Sequence, residues 1–131
     1  MHLTKKASYG LIAVCELARN RIDRPVSAGQ IARRYSLPTP FVEKILHRLS
    51  RAGLVDSRKG RGGGYTLVNE PSEISVRKIL EGLGESLDLV SCVGPGSLCK
   101  VTDICPTKKG WGEINRRLVE LFDSLTLEDL V

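Results

Sequence analysis

Residues 26–68 read VSAGQIARRYSLPTPFVEKILHRLSRAGLVDSRKGRGGGYTLV, a stretch whose helix stops and starts follow a recognisable order. Ser27, followed three residues later by Gln30, forms a capping box with Val26 in place to staple onto Ile31, so a short helix opens there and runs to Tyr35. Ser36-Leu37-Pro38 breaks it. Thr39-Pro40 opens the next helix, with Thr39 as N-cap and Pro40 at the first helical position, where its missing N–H costs nothing; Gly53 ends that helix. Two short helices around a tight break predict a helix-turn-helix. The second helix is two-faced. Phe41, Val42, Ile45, Leu46 and Leu49 make its apolar side, and Glu43, Lys44, His47, Arg48 and Arg51 make a polar side rich in groups that read base edges or pair with phosphates. A solvated surface helix also carries charge, so the next segment matters more. Strand-like residues 54–57 and 65–68 flank Arg58-Lys59-Gly60-Arg61-Gly62-Gly63-Gly64, a basic, glycine-rich hairpin that reads as a wing. Its glycines let the backbone approach a duplex, and Lys59 and Arg61 can enter a minor groove or pair with phosphates. A nucleotide phosphate loop would end in Gly-Lys-Ser/Thr and lead into a helix, which this run does not. With Thr39 at the helix start, the candidate DNA contacts are Thr39, Glu43, Lys44, His47, Arg48, Arg51, Lys59 and Arg61.

Upstream, Leu11, Val14, Cys15 and Ala18 recur at helical spacing and predict a helix over 7–20. Downstream, Ser75 caps a short helix over 76–83, and residues 84–107 show little periodicity. Trp111, Ile114, Leu118, Leu121 and Leu125 then step by three, four, three and four, with Phe122 beside them. This heptad-like seam is expected to pair the chain with a second copy; a helix packed on its own core is the alternative. Thr126-Leu127-Glu128-Asp129 caps a last turn.

Composition agrees with one compact domain and an appended arm: 131 residues, 41% hydrophobic and 27% charged, enough to build a core without disulfides. No stretch approaches the roughly 20 apolar residues of a membrane span, so a cytoplasmic chain with no membrane partner is expected. Charge is unevenly placed. Residues 1–68 hold 13 Lys or Arg against 4 Asp or Glu, a balance of +9, whereas residues 69–131 hold 7 against 11, a balance of −4. The N-terminal half therefore faces a polyanion. Aromatic residues make up only 5%, too few for the stacking platforms of single-strand or RNA recognition, which leaves double-stranded DNA. No serine, histidine and acid arrangement has a supporting motif, and the two histidines leave little for acid–base work, so neither an enzyme nor a small-molecule substrate is expected.

Four cysteines remain. Cys15 lies on the apolar side of the first helix and reads as a core residue. Cys92, Cys99 and Cys105 fall within 14 residues of a polar, glycine-containing segment, where a shared ligand is the economical explanation. A disulfide does not suit a cytoplasmic chain and would leave one thiol over. Structural zinc takes pairs separated by two to four residues, whereas six and then five intervene here. Wide spacing suits a larger object such as an iron–sulfur cluster, and Cys105-Pro106 ends the run as some cluster loops end. Zinc binding or thiol redox switching without a cluster remains open, as does an electron carrier, although a carrier needs no wing.

Met1-His2-Leu3-Thr4-Lys5-Lys6-Ala7-Ser8-Tyr9, the wing Gly60-Arg61-Gly62-Gly63-Gly64-Tyr65, the three cysteines, Trp111 and the closing Thr126-Leu127-Glu128-Asp129-Leu130-Val131 together resemble the IscR/NsrR family of winged-helix iron–sulfur regulators. The resemblance covers nearly the whole chain. It implies a homodimer on a palindromic operator and one 2Fe-2S or 4Fe-4S cluster per subunit beside the DNA-binding domain. It also implies repression or dual regulation in response to cluster status, iron, nitric oxide or redox state. The fourth ligand departs from the pattern. IscR-like members carry a histidine three positions after the last cysteine, where this chain has Lys108; NsrR-like members use an acidic residue near the N-terminus, where it has Ser8. A lysine ammonium has no lone pair to offer. Glu43, at the start of the reading helix, is a possible fourth ligand, and its competing role is to accept from cytosine N4. The expected fold is mainly α with a small β-wing: a winged helix-turn-helix DNA-binding domain over 1–83, a cluster-binding loop over 84–107, and a dimerisation helix with a C-terminal cap over 108–131.

Overall fold

The structure, a computed structural model, describes residues 2–20, 24–90, 92, 100–101 and 103–131. It is mainly helical with one two-stranded antiparallel sheet, a winged helix-turn-helix as expected. Helix α1 (Lys5–Arg19) starts where the Thr4 hydroxyl accepts from the Ala7 N–H at 3.2 Å, and it buries Ala7, Ala13, Val14 and Leu17. Helix α2 (Ala28–Tyr35) begins with the anticipated capping box: Ser27 Oγ accepts from Gln30 N at 3.1 Å and Gln30 Oε1 accepts from Ser27 N at 2.8 Å. At Ser36 the chain turns left-handed, φ 54°, while Leu37 N donates back to the Ala32 carbonyl.

Helix α3 (Thr39–Arg51) corrects one expectation. Pro38, not Thr39, is the N-cap, and no side chain caps the helix. The Pro38 carbonyl already accepts from Phe41 N and Val42 N, both at 3.1 Å, so Thr39 is the first helical residue. Its inner face is the predicted one, with Val42, Ile45, Leu46 and Leu49 buried. Gly53 follows in the left-handed region, φ 80°, and the chain enters the wing.

Strands β1 (Val55–Arg58) and β2 (Gly64–Leu67) pair in the register Val55 to Leu67 through Arg58 to Gly64. Two features force glycine at the turn. A Cβ on Gly63 would stand 2.3 Å from the Arg58 carbonyl oxygen, and one on Gly64 would stand 2.5 Å from the Val26 carbonyl carbon. That second approach lets Val26 and Tyr65 exchange backbone hydrogen bonds at 3.0 and 2.8 Å, so Val26, just ahead of the Ser27 cap of α2, adds an isolated antiparallel bridge to the free side of β2.

After a 3-10 turn (Pro71–Glu73), helix α4 (Val76–Gly82) is capped by Ser75. Helix α5 (Lys108–Ser124) is the long C-terminal helix, and α6 (Leu127–Leu130) the last turn. The chain then folds back: Val76 N donates to the Leu125 carbonyl and Leu127 N to the Ile74 carbonyl, both at 2.8 Å. This seats Leu127, fully buried, in the main core with Val14, Ile31, Val42, Leu46, Leu49, Ile79 and Leu83. A second cluster of Ala7, Val76, Leu80 and Leu87 receives Val119 and Phe122 from α5. No helix among the described residues is long and apolar enough to cross a membrane.

Candidate nucleic-acid interface and cysteine segment

The polar face of α3 is open to solvent. Thr39, Glu43, Lys44, His47 and Arg51 are exposed, and so are Lys59 and Arg61 on the wing. Tyr9 of α1 holds Phe41 edge to face, ring centroids 5.5 Å apart and planes at 89°, which ties the start of α3 to α1. Beside them a groove of about 700 Å³ opens between α1, α3 and α4, its polar lining supplied by Lys6, Lys44, His47, Arg48, Arg51 and Glu81. A neighbouring groove brings Lys5 and Tyr9 against Pro38, Pro40 and Lys44. The sequence reading missed Lys5 and Lys6. A signal existed: both lie in the first turn of α1, which has no acidic residue, and the positive end of a helix disfavours cations there unless an anion is shared.

Arg48 is exposed too and lines the same groove, but it makes a contact its neighbours do not. Its Nη1 donates to the Leu83 carbonyl at 3.3 Å, and its guanidinium lies over Gly84, where α4 ends. Of the polar α3 residues named from sequence, it is thus the one tied to α4.

Cys15 is half-buried against the main core, and burial pushes its thiol above the ordinary range. Cys92 and Cys105 are also half-buried free thiols; Cys99 lies outside the described residues. Cys105 sits just before α5, its Sγ 3.2 Å from the Thr107 hydroxyl. That hydroxyl, then the backbone N–H groups of Thr107 and Lys108, hold the thiol below its usual range. Among the described residues no three His, Cys, Asp or Glu side chains gather around one point, so Glu43 is not brought together with Cys92 and Cys105 within the chain. Ser8 is exposed on α1 and Lys108 opens α5.

On α5, Asn115, Val119 and Phe122 face inward: the Asn115 amide oxygen accepts from Leu89 N at 2.7 Å, and the other two join the second cluster. The predicted seam lies one residue back, about 100° around the helix. Trp111, Ile114, Leu121 and Leu125 are 38, 50, 53 and 36% exposed and Leu118 is half-buried, so four large apolar groups of one seam face outward.

The family model of Rrf2, described as an iron-dependent transcriptional regulator, matches residues 3–131. The HTH-type transcriptional regulator IscR of Klebsiella pneumoniae is 34% identical over 131 residues, covering all of this chain and 80% of that protein. Among solved structures, CymR, the global cysteine regulator of B. subtilis, superposes with a TM-score of 0.83 at 33% identity, over 99% of this chain and 95% of that one. IscR of T. potens superposes with a TM-score of 0.78 at 35% identity, over 99% and 85%. Sequence and fold agree from α1 to α6, and the chain belongs to the Rrf2 family of transcriptional regulators.

Proposed function

We propose that this regulator binds double-stranded DNA as a homodimer and answers to an iron–sulfur cluster held by Cys92, Cys99 and Cys105. The donor chemistry of the cysteine segment fits such a group. Two of the three thiols are half-buried and unbridged, and thiolate is the ligand that iron–sulfur clusters select. Bound there, a cluster supplies an iron centre whose loss or oxidation reports iron supply, nitric oxide or redox state. The fourth ligand is a carboxylate such as Glu43, a serine or an exogenous group.

In this reading DNA is met by Thr39, Glu43, Lys44, His47 and Arg51 on α3 and by Lys59 and Arg61 on the wing. Lys5 and Lys6 add phosphate contacts beside Lys44. The outward seam of α5, from Trp111 to Leu125, pairs two subunits so that two recognition helices reach half-sites about 34 Å apart. The domain arrangement follows: DNA binding over 1–83, cluster loop over 84–107, dimerisation over 108–131. The output is repression or dual control of transcription from a palindromic operator, with no enzymatic step and no small-molecule substrate, in the cytoplasm.

The observation that carries this reading is the presence of three closely spaced cysteines in a winged-helix chain of an iron-dependent regulator family. Anaerobic purification with iron and sulfide analysis tests it. Wild type should hold both and absorb visibly, single Ala variants at Cys92, Cys99 or Cys105 should lose them, and Cys15→Ala should keep them. Wild-type levels of iron and sulfide in all three variants would reject the assignment. A second reading is a thiol switch without a cluster, supported by the similarity to the cysteine regulator CymR and by the lowered thiol of Cys105. It predicts no iron in the wild type and reversible loss of operator binding on mild oxidation.

A further inference from the structure

The link between Arg48 and the end of α4 leads into the cysteine segment. Leu83 is fully buried and terminates α4, and its carbonyl accepts from Arg48 Nη1 at 3.3 Å. Gly84 follows with φ 80°, and a Cβ there would stand 3.1 Å from that nitrogen and 3.2 Å from the guanidinium carbon. The guanidinium therefore rests directly on the turn that opens residues 84–107. Beyond it, the Glu85 carboxylate accepts from the Thr4 hydroxyl at the cap of α1, Leu87 is buried against α1 and α4, and Leu89 N donates to Asn115 of α5. Residues 83–89 are thus strapped in turn to α3, α1 and α5, and the strap ends three residues before Cys92.

We infer that Arg48 is a positioning residue that carries the state of the cysteine segment to the recognition helix through Leu83 and Gly84. The inference rests on the cluster reading above. A charged donor at the carbonyl end of a helix is a directional contact, long here at 3.3 Å, and the lack of a side chain at Gly84 lets the exposed guanidinium lie against the turn. A shift of the strap on gain or loss of the cluster then moves α3, and the operator feels it as a difference in affinity between two states.

The test compares operator affinity of cluster-loaded and cluster-free protein, anaerobically and across salt concentrations, in wild type, Arg48→Gln, Arg48→Lys and Gly84→Ala. Visible absorption reports loading in each. Arg48→Gln and Gly84→Ala should both hold the cluster yet bring the ratio of the two affinities about fivefold closer to one, whereas Arg48→Lys, which can still donate to the carbonyl, should recover part of it. Gly84 offers no side chain to DNA, and because Ala at φ 80° also strains the turn, agreement between the two variants assigns the role to Arg48 only together with the partial recovery in Arg48→Lys. A phosphate-binding role for Arg48 would instead weaken both states equally and lower the salt slope by about 1; that result, or an unchanged ratio in Gly84→Ala, overturns the inference. A wild type without cluster absorption rejects the cluster reading itself and this role with it. A loaded wild type whose ratio neither variant alters rejects only the role of Arg48.

Discussion

Leu83 lies so close over Gly10 that a Cβ on that glycine would stand 2.5 Å from Leu83 Cδ1 and 2.7 Å from Cδ2. Gly10 occupies the interior of α1, where glycine costs about 1 kcal/mol relative to alanine, and the fold tolerates this because it brings the end of α4 down onto α1. Leu83 is fully buried, so moving its side chain aside disturbs the core around it. Gly10→Ala should therefore destabilise by overpacking, about 1 to 3 kcal/mol, offset in part by a propensity gain of about 1 kcal/mol. Urea denaturation measures the net. A variant more stable than wild type would mean that α4 adjusts without cost.

Glu16 is the buried charged side chain among the described residues, and it accepts from Asn20 at 3.0 Å, Arg34 at 3.1 Å and Tyr35 at 2.5 Å. Tyr35→Phe removes the donor to one carboxylate oxygen and should cost about 1 to 3 kcal/mol. The same hydrogen bond, then burial, raises the Tyr35 phenol above its ordinary value. The folded chain thus holds this proton more tightly than the unfolded chain. The corresponding stability is complete below about pH 10 and is lost as pH rises through the folded value. Denaturation curves between pH 8 and 12 should fall less steeply for Tyr35→Phe, and identical slopes would assign the alkaline loss to other groups.

The wing's contribution to DNA binding can be separated from its shape. Gly63→Ala drives a methyl into the Arg58 carbonyl oxygen at 2.3 Å, so the hairpin turn must open while the distant core remains. Operator and random duplexes should both bind more weakly. Replacing Lys59 and Arg61 with Ala leaves the turn intact and should lower the salt slope by about 1 for each lost phosphate contact. A slope equal to wild type in fluorescence anisotropy would remove the wing from the interface.

Leu121 is 53% exposed on α5, on the seam that the helix turns away from its own core. A charge there buries an unpaired ion only if a second subunit covers it. Leu121→Glu is therefore expected to sediment as a monomer with normal helical circular dichroism, because Asn115, Val119 and Phe122 still anchor the helix, and to bind its operator poorly. An undisturbed dimer would place the interface elsewhere.

The helix-turn-helix and the wing were legible in residues 26–68 because the groups that decide them lie within a few residues of each other. Ser27 and Gln30 cap one another across a single turn, Gly53 ends a helix from one residue beyond its C-cap, and Gly63 and Gly64 allow a hairpin that other residues would block. The one-residue shift at Thr39 has the same local origin, in a proline carbonyl already accepting helical bonds. What periodicity cannot carry is contact between distant segments. Leu127 reads as part of a short capped turn, and only the pairing of residues 125–127 with residues 74–76 makes it a core residue. The seam of α5 was visible as a heptad pattern, but which of two adjacent faces meets the chain's own core was settled by Asn115, Val119 and Phe122 docking on the cluster around Leu87. Arg48 is one of several cations on the polar side of α3 until α4 ends beside it. Its partner is a backbone carbonyl 35 residues away, a group that every residue carries and that no sequence pattern distinguishes.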